Sequence, residues 1–286
     1  MMAHKITFTN SIGNSVVLGP KPFKVIRIDG TGGTEADIQT QKAPYQDGHT
    51  FVDALLEPKT VEMELAIFAR SKEEVFQLRQ QLTNVFNPKL GVGLLTYEYP
   101  SGVREIEAVP ETTPIFPSGI QNSSEGFQRV LITLICPAPF WLDPLENIVK
   151  LEDFVANFRF PFHFPVVFSA RGDTRTIIND GDVPTPITVE FRGHAINPRV
   201  TNVTTGEFIQ VNREIPENYR LVIDTEFGRK RVSIIAPDGV ETSAFHYIDL
   251  ESTFFDLEVG ENQLSFITSG GSPEVYVHFK KRYVGV

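Results

Sequence analysis

The chain has 286 residues, a formal net charge of -10 at pH 7, 41% hydrophobic and 22% charged residues, and a single cysteine. A composition this near the soluble globular norm excludes wholesale disorder, and the length suits two domains or one large β domain. The acidic balance argues against nucleic-acid binding by bulk electrostatics, which needs a positive surface to displace counterions, and one cysteine excludes an internal disulfide or a C-x-x-C metal or redox pair.

The opening MMAHKITFTNSIGN lacks the apolar core of a secretory signal, and no run reaches the ~20 apolar residues that span a bilayer. Synthesis in the cytoplasm and no membrane span are therefore expected. With 23 Phe, 20 Pro and 21 Gly, the text reads as many short strands separated by turns. KITFT, SVVLG, FKVIRIDG and TFVDALLE, between Lys5 and Glu57, alternate apolar and polar residues and stop at Gly, Pro or Asn. KTVEMELAIFAR follows, with Val61, Met63, Leu65 and Ile67 on one face and Thr60, Glu62 and Glu64 on the other, the pattern of a half-buried strand.

One helix is predicted, near 72–86. Ser71 and Glu74 form a capping box that satisfies backbone N–H groups at its start, and Val75, Leu78, Leu82 and Val85 make one apolar stripe. Asn87-Pro88 ends it, because proline disfavours helical dihedrals in its predecessor. VGLLTYEY and VREIEAV flank a turn at Pro100–Gly102, and GFQRVLITLICP is a further strand preceded by the loop Glu111–Gly126.

After CPAPFWLDP comes a stretch rich in proline and phenylalanine, Phe158 to Pro186, which reads as an extended connection. Beyond it PITVEFRG, RVTNVT, EFIQVN, RLVIDTE, RVSIIA, FHYIDL, FFDLE, NQLSFITS and EVYVHFKKRYV recur at the spacing of a β-sandwich, with turns at TTGE, EFGR, APDGVE and SGGSPE. The fold expected is mainly β. It comprises an N-terminal β-rich domain at 1–145 with one helix, a linker at 146–172 and a C-terminal β-sandwich at 173–286.

Candidate chemistry is sparse. GTGGT (Gly30–Thr34) lacks the Lys-Ser/Thr of a phosphate loop and the third glycine of a dinucleotide fingerprint, so it reads as a hairpin. The histidines, His4, His49, His163, His194, His246 and His278, fall in no metal-binding spacing, and no G-x-S-x-G elbow is present. Cys136 ends an apolar strand, where it fills core. Asp249, Glu251, Asp256 and Glu258 include no pair marked out as glycosidase carboxylates. Trp141 reads as packing and not as a sugar platform, RGD at Arg171–Asp173 is too short to signify, and KKR near the end reads as a solvated strand edge. Asp224 beside Arg229, Lys230 and Arg231 raises the question of an acid next to a phosphate-seeking patch, and the flanking alternation favours a hairpin with Asp224 and Arg229 on its wet side. Catalytic, cofactor-binding and metal residues: none are expected.

The text from NDGDVPTPITVEFRG through NPRVTNVTTGEFIQVN, YRLVIDTEFGRKRV and STFFDLEVGENQLSF to YVGV resembles the C-terminal part of the distal tail proteins of long-tailed phages, the siphovirus tail-component family. The first half resembles that family's ring-forming domain in its β-rich layout, its single helix after a long strand, and CPAPFWLDP near the boundary. The resemblance implies a non-enzymatic virion protein at the tail tip, made in the bacterial host cytoplasm. It implies a homo-hexameric ring joining the tail-tube protein to the tail-tip or tail-associated protein, with receptor-binding proteins as further partners and no cofactor. It also implies a galectin-like or carbohydrate-binding-module-like C-terminal sandwich. A carbohydrate-binding β-sandwich protein recognising host-surface glycans is the second reading, and a glycan hydrolase the third. Thr31–Thr50 and Glu111–Gly126 are the candidate inter-subunit contacts, because a ring subunit needs long loops or sheet edges to reach its neighbours.

Overall fold

In the computed structural model, which describes residues 5–151 and 174–286, the chain crosses between two units, Met1–Pro144 with Tyr283–Val286 and Leu145–Arg282. Both are built almost wholly of antiparallel strands.

The first unit contains β1 (Lys5–Thr9), β2 (Ser15–Leu18), β3 (Phe23–Asp29), β4 (Ala36–Gln41), β5 (Thr50–Leu56), β6 (Lys59–Phe68), α1 (Lys72–Val85), β7 (Gly93–Tyr99), β8 (Gly102–Pro110), β9 (Ser123–Ser124), β10 (Phe127–Cys136) and β11 (Trp141–Leu142). Its main sheet runs β2-β1-β7-β8-β10-β6-β3. β6 and β10 pair over ten residues, from Phe68↔Phe127 to Lys59↔Cys136. The register places Val61, Met63, Leu65 and Ile67 beside Leu134, Ile132, Val130 and Gln128, so the two alternations share one buried face. Full burial of each such aliphatic side chain stabilises the fold by about 1.5–3 kcal/mol, and Leu65→Ala would remove about 2–5 kcal/mol.

The predicted helix forms as α1. The Ser71 hydroxyl accepts from Glu74 N at 3.2 Å, and the Glu74 carboxylate accepts from Arg70 N at 2.7 Å, a variant of the capping box in which the carboxylate reaches the residue before the N-cap. Val75, Leu82 and Val85 are buried, and Phe86 just past the helix stacks on Phe8 with ring centroids 4.7 Å apart. Asn87 then opens a short 3-10 turn by accepting from Lys89 N.

The second unit contains β12 (Asn147–Leu151), β13 (Arg175–Asn179), β14 (Thr188–Arg192), β15 (Ala195–Ile196), β16 (Arg199–Asn202), β17 (Phe208–Gln210), β18 (Glu214–Ile215), β19 (Arg220–Asp224), β20 (Arg231–Ile235), β21 (Glu241–Ser243), β22 (Gly260–Ile267), β23 (Gly270–Gly271) and β24 (Glu274–Phe279). A six-stranded sheet, β12-β24-β14-β19-β20-β21, and a four-stranded sheet, β13-β22-β16-β17, enclose one core. Val189, Phe191, Leu221, Ile223, Val275 and Val277 enter it from the first, and Ile177, Val200, Ile209, Leu264 and Phe266 from the second. Phe191 and Phe266 meet edge to face across it at 6.2 Å.

The structure departs from the expected organisation in five places. Residues 147–151, assigned to the linker, form β12 against β24, and 175–179, within the proline-rich connection, form β13 against β22. Both gain their ladder from strands far away in sequence, which local text does not show. FHYIDL is no strand: Phe245–Tyr247 is a 3-10 turn closed by Tyr247 N donating to Ala244 O. FFDLE contributes only the isolated bridge Thr185↔Leu257. Finally, Tyr283–Val286 belongs to the first unit, where Lys59 Nζ donates to Val284 O at 2.7 Å and Val286 N donates to Thr31 O at 3.1 Å. Linker residues 152–172, His4, His163 and RGD lie outside the described residues.

Candidate functional site

Thr31–Thr50 and the strand after it make a separate two-stranded arm, β4–β5. Paired residues share a face, so Ala36, Ile38 and Thr40 lie with Leu56, Ala54 and Phe51, while Asp37, Gln39 and Gln41 lie with Leu55, Asp53 and Thr50. Val52 is the extra residue of a bulge. One face is therefore largely apolar and the other largely polar. Every strand position except half-buried Leu56 is exposed, including Ile38 at 53%, Phe51 at 62% and Leu55 at 52%. A lone two-stranded ribbon is marginal in water, and an open apolar face marks an interaction surface.

The arm is exposed but firmly rooted. Gly30 adopts φ +82, and a Cβ there would stand 1.9 Å from Thr60 O, so only glycine permits the chain to turn this close to β6. Trp141 Nε1 donates to Thr31 O at 3.0 Å, and Lys59 Nζ donates to Gly32 O at 3.1 Å. The GTGGT segment is thus the arm's base and not a phosphate cradle. Lys59 is only 2% exposed, and burial holds its ammonium below the usual lysine range, an effect the neighbouring Cys136 partly opposes. Burial pushes the Cys136 thiol up to about 12, against a smaller opposite effect of Lys59, so this cysteine is an inert core group. At the tip, Thr40 Oγ1 and His49 Nδ1 lie 2.9 Å apart, and Gln46 bridges Ala43 N and Thr50 Oγ1.

The second candidate, Glu111–Gly126, is tied to its own unit. Ile115 and Leu131 exchange two backbone bonds of 2.9 Å, and the buried Gln128 amide donates to Pro117 O at 2.9 Å. Its tip, with Ile120 fully exposed, and the half-exposed Ile115 are open for contact.

The other sequence candidates take structural places. Asp224 and Arg229 do flank the β19–β20 hairpin, but they do not pair. Asp224 Oδ1 accepts from Glu226 N at 3.0 Å and so caps the turn, while Arg229 lies 3.6 Å from Glu226 and Arg231 lies 3.1 Å from Glu241. Lys230 sits over the Phe254 ring, so among the described residues the three basic side chains have separate partners. Asp249 caps Glu251 N and accepts from Asn212, and these contacts hold its carboxyl below the usual range. Burial pushes the Asp256 carboxyl up, with Arg282 acting the other way. KKR is not simply a solvated edge: the Arg282 side chain is largely buried and meets Glu226 at 3.2 Å. His49, His194, His246 and His278 stand apart from one another, His194 on Glu214 and His278 on Glu146. Among the described residues no group of three or more His, Cys, Asp or Glu is placed to hold a metal ion. Trp141 is fully buried, which removes it as a sugar platform.

One constellation escaped sequence reasoning. Glu190, buried on the outer face of the six-stranded sheet, accepts from Arg192 at 2.6 Å and Arg220 at 3.0 Å. Burial raises its carboxyl pKa, but the hydrogen bonds and charges of Arg192 and then Arg220 outweigh that, leaving it below the usual range. Only the register Arg192↔Arg220 and Glu190↔Val222 brings the three together, so no local motif announces them.

Comparison with known proteins follows the same division. Residues 15–136 match the phage tail protein RIFT-related domain, and residues 180–283 match the siphovirus-type tail component, C-terminal domain. No curated protein matches the sequence significantly. The fold is similar to that of the phage SPP1 Dit (gp 19.1) protein, described as a paradigm of the hub adsorption apparatus in Gram-positive-infecting phages. That match has a TM-score of 0.70 at 14% identity and covers 97% of this chain and 98% of that one. It is also similar to a chain of the phage P2 baseplate in its activated conformation with Ca, with a TM-score of 0.58 at 11% identity and all of both chains covered. With the two tail domains present in order, this chain belongs to the siphovirus-type phage tail component family.

Proposed function

We propose that this protein is the structural hub of a phage tail tip, a homo-hexameric ring that joins the tail-tube protein to the tail-tip protein and the host-adsorption apparatus, receptor-binding proteins included. Its role is assembly and not catalysis, and it is made in the cytoplasm of the bacterial host. The N-terminal domain forms the ring, and the C-terminal domain is its galectin-like or carbohydrate-binding-module-like sandwich. The observation that carries this reading is the rooted arm with an uncovered apolar face, in a chain that carries both tail domains. Such a face is stabilised when a neighbour covers it, and a heterologous contact repeated head to tail forms a ring when its rotation closes. Virions decorated with an antibody against this chain should be labelled at the distal end of the tail in electron micrographs. Labelling on the capsid, or along the whole tube, would contradict the proposal.

A further inference from the structure

The main sheet of the first unit ends in two strands, β2 and β3, and the two edges differ. β3 is guarded against edge pairing: Pro22 precedes it, it carries Lys24 and Arg27, and a bulge interrupts its register between Val25 and Arg27. β2, Ser15-Val16-Val17-Leu18, has no charge, no proline and no bulge, and pairs with β1 alone. Beside the start of β2 lies an open groove of about 530 Å³, walled by α1. Asn14 and Ser15 line it on one side and Gln77, Gln80, Gln81 and Asn84 on the other. No charged side chain is among its lining residues. Each amide offers both a donor and an acceptor, the complement of the alternating N–H and C=O groups along a strand edge, and a neutral wall avoids the desolvation penalty of charge.

Resting on the ring reading above, we infer that the groove between α1 and β2 receives the free edge of β4 from a second copy of this chain. β4 fits this role better than β5. Both strands lack proline and cations and each carries one aspartate, Asp37 or Asp53, but the outer edge of β4 is regular whereas Val52 bulges on β5. The wall of α1 that lines the groove, Gln77 to Val85, extends about 13 Å at ~1.5 Å per residue, room for about four of the six residues of β4 at ~3.3 Å each. Exposed Val17 and Ile12, on β2 and on the turn before it, provide apolar surface beside the groove for the arm's Ile38 and Phe51. Within one protomer the arm's strands stay exposed, so the occupant is a neighbour's arm.

Two cysteine variants test this, Gln39→Cys on β4 and Gln81→Cys on α1, prepared separately, mixed, and treated with a short bismaleimide. Cys136 is buried and does not compete. A covalent mixed dimer is expected only when both variants are present. The double variant Gln77→Glu with Gln81→Glu, at exposed helix positions, sets two carboxylates against Asp37 of β4 and should need a roughly tenfold or higher concentration to assemble. Assembly without the mixed dimer overturns the docking and leaves the ring standing. Assembly of the double variant at wild-type concentration overturns it equally. A chain that is monomeric at every concentration refutes the ring and the docking together.

Discussion

Phe51→Ala separates an interface side chain from a folding one. Phe51 is 62% exposed in the protomer, so of the ~200 Å² that a phenylalanine side chain can bury, about 120 Å² is left for a neighbour to cover. At ~25 cal/mol per Å², that burial stabilises each contact by about 3 kcal/mol, of which truncation to alanine removes about 2–3 kcal/mol. The concentration for assembly should therefore rise by about 30- to 150-fold. The protomer itself should lose less than about 0.5 kcal/mol, because the ring already stands in water. Sedimentation velocity over a concentration series reads the first quantity. Emission from Trp141, the sole tryptophan and wholly inside the first unit, reads the second during thermal unfolding. An unchanged assembly midpoint would refute the reasoning, as would a large drop in melting temperature with assembly intact.

Further expectations concern each unit. Gly30→Ala places a methyl against Thr60 O at positive φ and should destabilise the first unit by at least about 2–3 kcal/mol, seen as an early Trp141 transition. Asp224→Ala removes the cap on Glu226 N and should cost the second unit about 1 kcal/mol by calorimetry, whereas Asp224→Asn keeps an acceptor and should melt like wild type. Glu190 has a folded-state pKa below its unfolded value, so its stabilisation is complete above the unfolded pKa of about 4.3 and is lost as pH falls through the folded one. Glu190→Gln should lower stability at neutral pH by about 1–3 kcal/mol, the two arginines being roughly half exposed, and should flatten the acid limb of a pH–melting profile. An acid limb identical in wild type and variant would show that other carboxylates govern it.

What the text revealed depended on the range of the interactions involved. α1 was legible because its cap, stripe and stop are all local, from Ser71 to Pro88. β6 and β10 were legible because ten-residue alternations identify a buried face without any partner. β12 and β13 were not: Asn147–Leu151 pairs with β24 and Arg175–Asn179 with β22, roughly 80 to 130 residues away, and the proline-rich text between them signals only extended chain. The interaction surface was half legible. Thr31–Thr50 stood out as a contact candidate, but the alternation of ADIQTQ is short and weak, with only Ala36 and Ile38 apolar. Its apolar face is completed only when the register sets Ile38 beside Ala54, with Phe51 and Leu56 along the same side. The same dependence on register hid Glu190 between Arg192 and Arg220.

The mass of the assembled protein tests the central claim most directly. Native mass spectrometry of the purified chain, over rising concentration, should show a species of six times the 32.1 kDa protomer, matched by six-fold rings in negative stain. A single 32.1 kDa species throughout, with no rings even when the tail-tube protein is added, would contradict it.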